Sequence, residues 1–211
     1  MNAIVIMAKA PLSGMVKTRL LSRLESGEAA ILYRCFLLDK IEQVKHIDNA
    51  SHFIAYTPAN TRALFRELIP RDFTLVEQNG AHLGERLSNI SKNLFSQGFK
   101  KVIILDSDSP NLPRDFISEG LDRLDNTDVV LGPCEDGGYY LIGARAHFPG
   151  IFKNIPWSTQ DVTGKTIEKA KGSGLVVSML EPWYDVDTID DLLRLKKDLD
   201  NSSRKNQQFF C

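Results

Sequence analysis

Cysteine is scarce in this sequence, and its positions are far apart. The three cysteines are Cys35, Cys134 and Cys211, and no two of them form a CxxC pair. This spacing argues against a disulfide framework and against a zinc knuckle. It is typical of a protein kept in a reducing compartment, so we expect a cytoplasmic location.

An excess of charge of either sign is also missing. The formal net charge is −1 over 211 residues, so no general attraction to nucleic acid or to an anionic membrane is expected. The N-terminal apolar run AIVIMA is too short for a membrane span and has no basic segment before it. The sequence therefore predicts a soluble protein without a nucleic-acid partner, in which any phosphate binding comes from a local cluster of cations.

Several catalytic and binding motifs are absent. There is no GxSxG nucleophile elbow, no HExxH pair and no GxGxxG dinucleotide fingerprint. A Walker P-loop requires Gly directly before its Lys, whereas Val16 stands before Lys17. A calcium-binding EF-hand starting at Asp106 also fails, because Asn111 replaces the required Gly and Ile117 the bidentate Glu. None of these classes of site is therefore predicted.

The sequence does contain a regular alternation of strand-like and helix-like segments. Short apolar runs predict strands, and helical periodicity predicts helices between them. Two strands in direct succession after residue 128 indicate a mixed, mostly parallel sheet. We predict a Rossmann-like three-layer α/β/α sandwich formed by one domain over residues 1–200, followed by a flexible C-terminal tail over 201–211.

Capping residues predict where three helices begin. Ser26 is predicted to cap a long helix after the first loop. Ser158 and Asp161 resemble a capping box that starts a later helix, and Thr188 and Asp191 resemble a capping box before the last one.

The segment KVIILDSDSP, residues 101–110, is the strongest indication of a functional site. An apolar run over 102–105 predicts a buried strand, and Asp106 and Asp108 follow at its carboxyl end. Ligands bind at that edge of open α/β sheets, and carboxylates are ligands for Mg²⁺ or Mn²⁺. Two alternatives stay open: a turn that ends the strand, and the DxD of phosphatases with an aspartyl nucleophile, which normally follows the first strand of its fold.

A basic loop follows the first predicted strand. The segment KAPLSGMVKTRL combines three cations with two residues that break regular structure, namely Lys9, Lys17, Arg19, Pro11 and Gly14. Cations and free backbone N–H groups are what a diphosphate requires, and the loop leaves its strand at the same edge as Asp106. The alternative interpretation is a turn with solvated cations.

Two further segments are candidates for the site. Asp136-Gly137-Gly138 lies between two predicted strands, where paired glycines let a backbone approach a ligand and Asp136 could act as a base. Asp-Gly is also a strong hairpin signal, and taken alone this segment is interpreted as a turn. Trp157, in IPWST, is interpreted first as a packing residue and second as the lining of an acceptor pocket.

A second D-x-D spacing precedes the last predicted helix. Asp185 and Asp187 could add a carboxylate to a metal site begun by Asp106 and Asp108. Asp185 could instead bind backbone beside the cap of the helix, and the two roles are compatible.

Together these segments resemble the GT-A-like nucleotide-diphospho-sugar transferase superfamily. Within it they are most similar to a bacterial family of small glycosyltransferase-like proteins, long catalogued as a domain of unknown function. Each matching segment is weakly specific alone, whereas six in the family's order are strongly specific. They span about residues 1–195: AKAPLSGMVKTRL, QNGAHLGERL, LDSDSPNLP, GPCEDGGYYLIG, IPWST and DVDTIDDL.

The resemblance implies a GT-A fold and a set of site residues. Lys17 and Arg19 would also assist catalysis electrostatically, and Asp136 would be a base or would orient the acceptor. The nucleotide would be held by Ala8, Lys9, Pro11, Gly14, Lys17, Arg19 and Asp106. The metal, Mg²⁺ or Mn²⁺, would be held by Asp106, Asp108 and Asp187. The sugar or acceptor would face Gly137, Gly138, Tyr139 and Trp157.

The activity implied by the resemblance is transfer of a sugar from a nucleoside diphosphate sugar to a small acceptor. Two alternatives stay open: a nucleotidyltransferase that joins an NTP to a phosphorylated small molecule, and a nucleotide-binding module without catalysis. The oligomeric state is open as well, a homodimer included. His82 departs from the family's pattern, in which Asp is expected, so no role is carried over to it.

Overall fold

The computed structural model describes residues 1–203. Its strands are β1 Asn2–Lys9, β2 Ala50–Thr57, β3 Thr74–Glu77, β4 Lys101–Leu105, β5 Val129–Pro133, β6 Tyr139–Ala144 and β7 Val177–Met179. Its helices are α1 Ser26–Lys45, α2 Arg62–Leu68, α3 Leu83–Ser96, α4 Arg114–Arg123, α5 Val162–Gly172 and α6 Ile189–Ser203, with short 3₁₀ helices at Thr18–Ser22, Ala59–Thr61 and Pro149–Phe152.

The strands form one mixed sheet in the order β3-β2-β1-β4-β6-β5-β7. Strand β6 runs antiparallel to both of its neighbours, β4 and β5, and the other pairs are parallel. The predicted α/β fold with a mixed, mostly parallel sheet is therefore confirmed. The chain builds outward from β1 through β2 to β3 and then returns to place β4 on the other side of β1.

Alternating side chains along the strands bury a core on each face of the sheet. Ile4 and Ile6 of β1 pack with Leu37 and Ile41 of α1 on one face. Val5, from the same strand, points to the opposite face, which is covered by helices α3 and α5. This alternation follows from the period of two in a strand, and burial on both faces explains why β1 and β4 are continuously apolar.

The last helix packs against the outer side of α1. Leu195 of α6 joins Phe36 of α1 and the buried residues Tyr184 and Val186 in a separate apolar cluster. Packing on α1 thus fixes the segment of residues 184–187 beside the carboxyl end of β4. The helix continues past the predicted boundary at residue 200, the predicted tail beyond Ser203 lies outside the described residues, and the division into domain and tail stays a prediction.

Two of the three predicted helix starts need correction, and one is confirmed. Helix α1 is capped by Glu25 in a capping box with Glu28, so Ser26 is its first residue rather than its cap. Helix α5 begins at Val162, because Ser158 has a φ of 66° that a helix cannot contain. The confirmed start is that of α6, where Thr188 and Asp191 exchange the hydrogen bonds of a capping box.

None of the helices within residues 1–203 combines the length and the apolar character that crossing a membrane requires.

Asp128 ties the start of β5 to β7, and we predict that it makes the fold sensitive to acid. The pKa of Asp128 lies below its ordinary value of 3.8, because its carboxylate accepts the N–H of Val176 and pairs with Arg145. A carboxylate with a lowered pKa stabilises the folded state above the unfolded pKa, and that contribution is lost as the pH falls through the folded pKa.

The substitution Asp128→Asn should therefore lower the free energy of unfolding by about 1 kcal/mol near pH 6. The difference from the wild type should shrink as the pH falls below about 4. Urea unfolding at a series of pH values measures it. Asp125→Asn is the control, because that carboxylate is 65% exposed in its pair with Lys101. A pH-independent difference for Asp128→Asn would contradict the prediction.

Candidate active site

A cleft of about 540 Å³ opens at the carboxyl ends of β1 and β4. At this point the strand order switches direction, because β2 lies on one side of β1 and β4 on the other. Open α/β sheets bind ligands in the crevice at such a switch point. The cleft is lined by the loops after β1 and β4, the start of α3, two residues of β6 and one of the C-terminal segment. Its charged residues are Lys9, Lys17, Arg19, Arg86, Asp106, Asp108 and Asp187.

Lys17 is at the centre of the polar groups in this cleft. Its Nζ pairs with Asp108 Oδ1, and donates to Asp187 Oδ1 at 3.0 Å and to the carbonyl oxygen of Val186 at 2.8 Å. The side chain of Lys17 is only 2% exposed, whereas those of Asp108 and Asp187 are 39% and 38% exposed. Burial opposes the charged form of Lys17, but the two carboxylates outweigh it and raise the pKa of Lys17.

The other members of the two D-x-D segments meet deeper in the protein. Asp106 and Asp185 face one another beside Cys134, whose Sγ donates to Asp185 Oδ1 at 3.1 Å. Burial, with the charge of Asp106 next, raises the pKa of Asp185 to about 9. Asp106, Cys134 and Asp185 present ligand atoms within 4.8 Å of one another, so this group could also hold a metal ion.

The two D-x-D segments are therefore each divided between two layers. Asp108 and Asp187 form an outer pair that shares Lys17, and Asp106 and Asp185 form a more buried inner pair, of which Asp106 still reaches the lining of the cleft. Residues two apart share a face only in an extended strand, and both segments lie outside the strands. The predicted ligand set of Asp106, Asp108 and Asp187 is thus drawn from both layers.

Lys40 holds the inner pair from the core side. Its ammonium is fully buried and lies 3.0 Å from Ser109 Oγ and 3.6 Å from Asp106 Oδ1. Burial lowers the pKa of Lys40, and the charges of Asp106 and Asp185 partly offset that effect. Ser109 also donates to Asp106 Oδ1 at 2.7 Å, so the loop after β4 is fixed by one lysine and one hydroxyl.

The basic loop is shaped by two residues with positive φ. Gly14 and Lys17 have φ values of 76° and 48°, and the second of these begins the 3₁₀ helix Thr18–Ser22. Arg19, with a side chain that is 68% exposed, lies 3.4 Å from Asp187 Oδ2. Pro11 and Gly14 are outside the lining of the cleft, and among the predicted loop residues Ala8, Lys9, Lys17 and Arg19 belong to it.

Tyr33 connects the two loops that form the floor of the cleft. Its hydroxyl accepts the N–H of Lys9 at 2.9 Å and lies 2.8 Å from Ser107 Oγ. Since the hydroxyl already accepts one hydrogen bond from Lys9, it can donate to Ser107. The end of β1 and the loop after β4 are therefore held at a fixed separation from α1.

The segment Asp136-Gly137-Gly138 forms the turn between β5 and β6. Asp136 is exposed, and its Oδ1 accepts the N–H of Gly138 at 2.8 Å. Gly137 has a φ of 92°, and a Cβ there would lie 2.2 Å from the carbonyl oxygen of Gln160. The glycine permits close approach of the protein's own backbone at Gln160, and the predicted approach to a ligand stays a prediction.

We predict that Gly137→Ala is strongly destabilising. The added methyl group overlaps the backbone at Gln160, and the left-handed φ adds strain, so a loss of about 2 kcal/mol is expected. Gly164→Ala is the matched control, because that glycine is inside α5 with nothing within 4 Å of its Cβ position. Alanine there should be neutral or stabilising by up to about 1 kcal/mol. Thermal unfolding compares the two, and equal melting temperatures would refute the close contact.

Tyr139 and Trp157 pack against each other at the side of the cleft. Their ring centroids are 6.4 Å apart at an interplanar angle of 81°. Tyr139 lines the cleft, whereas Trp157 lies against Gly84 at the start of α3, where a Cβ would come 2.6 Å from its Nε1. The indole therefore has the packing position that was preferred from the sequence, and its neighbour Ser158 reaches the cleft.

His82 has a local role that the sequence did not suggest. Its Nδ1 accepts the N–H of Glu85 at 3.3 Å, which makes His82 the N-cap of α3. An Asp, the residue expected at this position, is a common cap and accepts the same hydrogen bond. The substitution is thus compatible with the helix that borders the cleft.

Four residues of the site were not identified from the sequence. Tyr33 and Lys40 are both in the middle of α1, with nothing in the local pattern to separate them from ordinary helix residues. Gln78 is in the lining of the cleft and donates to the carbonyl oxygens of Ala8 and Ala55. Arg86 adds a cation from α3. The one available signal concerned Lys40, which lies on the apolar face of a predicted helix. A Lys that is buried there requires an acidic partner, which would have pointed to the site.

Comparisons with known proteins identify a family and several similar structures. A family model described as "Uncharacterized protein conserved in bacteria (DUF2064)" matches residues 40–159. A crystal structure of a "putative nucleotide-diphospho-sugar transferase" from Desulfovibrio desulfuricans G20 is 34% identical, covers 99% of this chain and 91% of its own, and has a TM-score of 0.92. The search of curated proteins finds no match.

Two more distant structures share the fold alone. The CMP:2-keto-3-deoxy-manno-octonic acid synthetase complexed with CTP is 12% identical, with 95% of this chain and 99% of that chain covered and a TM-score of 0.62. Rv0371c from Mycobacterium tuberculosis H37Rv, solved with manganese, is 17% identical, with 93% and 97% covered and a TM-score of 0.51. Since the family model spans more than half of the sequence and the D. desulfuricans protein aligns over nearly all of it, this chain belongs to the DUF2064 family of bacterial proteins.

Proposed function

We propose that this protein is a metal-dependent transferase that moves a sugar from a nucleoside diphosphate sugar to a small acceptor. The observation that carries the proposal is the junction of Lys17, Asp108 and Asp187 in the cleft at the switch point of the sheet. This junction combines carboxylates for a metal with a cation for phosphates, which are the two requirements of diphosphate departure. The similar D. desulfuricans protein carries the name of such a transferase.

The outer pair fits a divalent cation. Asp108 and Asp187 are partly exposed and both contact the ammonium of Lys17, which supports binding of a cation between them. Carboxylate oxygens are hard ligands that suit Mg²⁺ or Mn²⁺. When bound, the metal would neutralise charge on the departing diphosphate.

The inner pair is less suited to that role. The ammonium of Lys40 is 3.6 Å from Asp106 Oδ1, fully buried and outside the cleft lining, so unlike Lys17 it has no open space to move into and would repel an entering cation. Cys134 offers a soft thiol, which Mg²⁺ and Mn²⁺ do not favour. We therefore assign Asp108 and Asp187 as ligands and give Asp106 the role of fixing the loop between β4 and α4.

The remaining predicted residues divide by position. The nucleotide would lie along Ala8, Lys9, Lys17 and Arg19, with Pro11 and Gly14 shaping the loop that carries them. Tyr139 would face the sugar or acceptor, while Gly137, Gly138 and Trp157 would support that wall from behind. Asp136 is retained as a candidate base, although its carboxylate caps Gly138 and lies outside the cleft lining.

Nucleotidyl transfer from an NTP to a phosphorylated small molecule is the second candidate. The observation that favours it is the number of cations in the cleft, where Arg86 adds to Lys9, Lys17 and Arg19. A triphosphate carries more negative charge than a diphosphate and requires more compensation.

A pair of assays distinguishes these candidates. Nucleoside diphosphate sugars with different bases are incubated with Mn²⁺ or Mg²⁺ and small hydroxylated acceptors, and release of nucleoside diphosphate is followed by chromatography. In parallel, NTPs with sugar phosphates are followed for pyrophosphate. Metal-dependent release of nucleoside diphosphate is expected. Pyrophosphate release in its place would support the second candidate, and nucleotide binding without turnover on either panel would support a non-catalytic module.

A further inference from the structure

Lys17 occupies the position that a metal ion needs in the outer pair. We propose that Lys17 is a resident counter-ion of the outer pair, so that a metal can enter only when the phosphates of a nucleotide take over the ammonium of Lys17. A metal entering between Asp108 and Asp187 must expel the ammonium, and the phosphates of the nucleotide must receive it. The inference rests on the proposed function, since it concerns the same metal and the same phosphates.

In its present position the ammonium of Lys17 has a hydrogen-bond partner for each of its donors. An ammonium has three N–H donors, and here three oxygens surround it, from Asp108, Asp187 and the backbone of Val186. The side chain is 2% exposed, so water does not replace any of these partners at low cost. Leaving the site therefore requires another anion for the ammonium.

Simultaneous occupancy of the outer pair is excluded by charge. Both acidic side chains direct an oxygen at Lys17 Nζ, and a divalent cation would use those same oxygens. A dication and an ammonium in contact with the same two oxygens would repel each other in a partly buried site. Metal binding without an anion thus leaves Lys17 buried beside like charge, with the carbonyl oxygen of Val186 in place of two carboxylates.

A nucleotide supplies the missing anion. Lys has a flexible four-carbon stem that lets its charge move without movement of the backbone. The residue is part of the basic loop that lines the cleft, so phosphates bound along Lys9 and Arg19 lie within the same space. Lys17 can therefore exchange two carboxylates for a phosphate while the metal takes its place.

Metal binding and phosphate binding are thermodynamically linked, so each affects the affinity of the other. If phosphate binding frees the outer pair, metal binding must strengthen phosphate binding by the same factor. Couplings of this kind usually amount to about 5–150-fold, and we expect at least about tenfold here. In the absence of phosphate, Lys17 competes with the metal for the outer pair. The variant Lys17→Met, which lacks the competing charge, should therefore bind metal alone more tightly than the wild type.

The test is Mn²⁺ binding followed by the electron paramagnetic resonance signal of the free ion. Wild type, Lys17→Met, Lys17→Arg and Arg19→Met are titrated with Mn²⁺ alone and with Mn²⁺ plus a fixed concentration of inorganic pyrophosphate, and each series is compared with a protein-free titration because Mn²⁺ also binds pyrophosphate in solution. Lys17→Met should bind Mn²⁺ alone at least about tenfold more tightly than the wild type and lose the enhancement by pyrophosphate. Lys17→Arg retains the competing charge and should resemble the wild type.

Arg19→Met is the matched control for loss of positive charge. Arg19 lies 3.4 Å from the same Asp187 but is 68% exposed, so its removal should change the affinity for Mn²⁺ alone by less than about threefold. Circular dichroism verifies folding of each variant. The wild-type comparison with and without pyrophosphate remains decisive if Lys17→Met does not fold.

Two results would overturn the inference. One rejects only the exchange of Lys17, and the other also rejects the metal site. Equal affinity of wild type and Lys17→Met for Mn²⁺ alone, or no effect of pyrophosphate on the wild type, rejects the exchange and leaves the metal site intact. Absence of Mn²⁺ binding in every variant, with and without pyrophosphate, rejects the metal site and with it the proposed metal-dependent transfer.

Discussion

Asp187→Asn is expected to lower the rate of transfer by at least about 100-fold and to abolish metal dependence. Asparagine has the shape of the carboxylate but no charge, so the outer pair keeps Asp108 alone as an anionic ligand. A bound metal contributes several kcal/mol of charge stabilisation, and each 1.36 kcal/mol corresponds to about a factor of ten in rate. The rate is measured as nucleoside diphosphate release at saturating Mn²⁺, and Mn²⁺ binding is measured directly on the same samples.

Asp185→Asn is the matched control for this prediction. It introduces the same amide two residues away, in the inner pair rather than the outer one, where the raised pKa of Asp185 makes the loss of charge smaller. If the metal binds in the outer pair, Asp185→Asn retains Mn²⁺ binding while Asp187→Asn loses it. The reverse result would place the metal among Asp106, Cys134 and Asp185, whose ligand atoms are also close enough to hold one.

Lys40→Met is expected to destabilise the protein by about 3–5 kcal/mol. Methionine fills nearly the same volume, but it leaves Asp106 without its cationic partner in a region where the side chain of Lys40 is 0% exposed. Removing one member of a buried ion pair is costly because the remaining charge has no compensation. Urea unfolding at pH 7 measures the loss.

A second lysine on the same helix provides the control. Lys45 has a 37% exposed side chain and pairs with Glu42 on the surface of α1, so Lys45→Met should cost less than about 1 kcal/mol. The double variant Lys40→Met/Asp106→Asn should recover part of the stability lost in Lys40→Met, because it removes the uncompensated charge. Similar unfolding midpoints for the two single lysine variants would show that Lys40 does not stabilise the inner pair.

The elements that sequence periodicity described well are those buried on both faces. The run before Asp106 was predicted as a strand at the position of β4, and the antiparallel arrangement near β6 followed from two strands in succession. Local chemistry was less reliable at helix starts. Ser158 resembled a cap, but its φ of 66° is left-handed and α5 begins only at Val162.

In the candidate site, too, some features were predictable from the sequence and others were not. Acidic and basic loops were predicted at the carboxyl edge of the sheet because their strands end there, and the cleft is at that edge. The sequence pattern could not separate Asp106 from Asp108. Both are aspartates, and their distances from the end of the strand differ by only two residues. Their separation depends on Lys40 and Lys17, which approach from α1 and from the first loop.

The sequence alone thus determined the layered α/β fold, the resemblance to its family, and the edge of the sheet at which polar loops gather. These depend on local periodicity and on motif order, both of which are written along the chain. Only the tertiary structure decided which carboxylates pair with Lys17 and which with the buried Lys40, because that choice depends on partners distant in sequence. Lys17 meets Asp187 across 170 positions, and no local pattern records a contact between such distant residues.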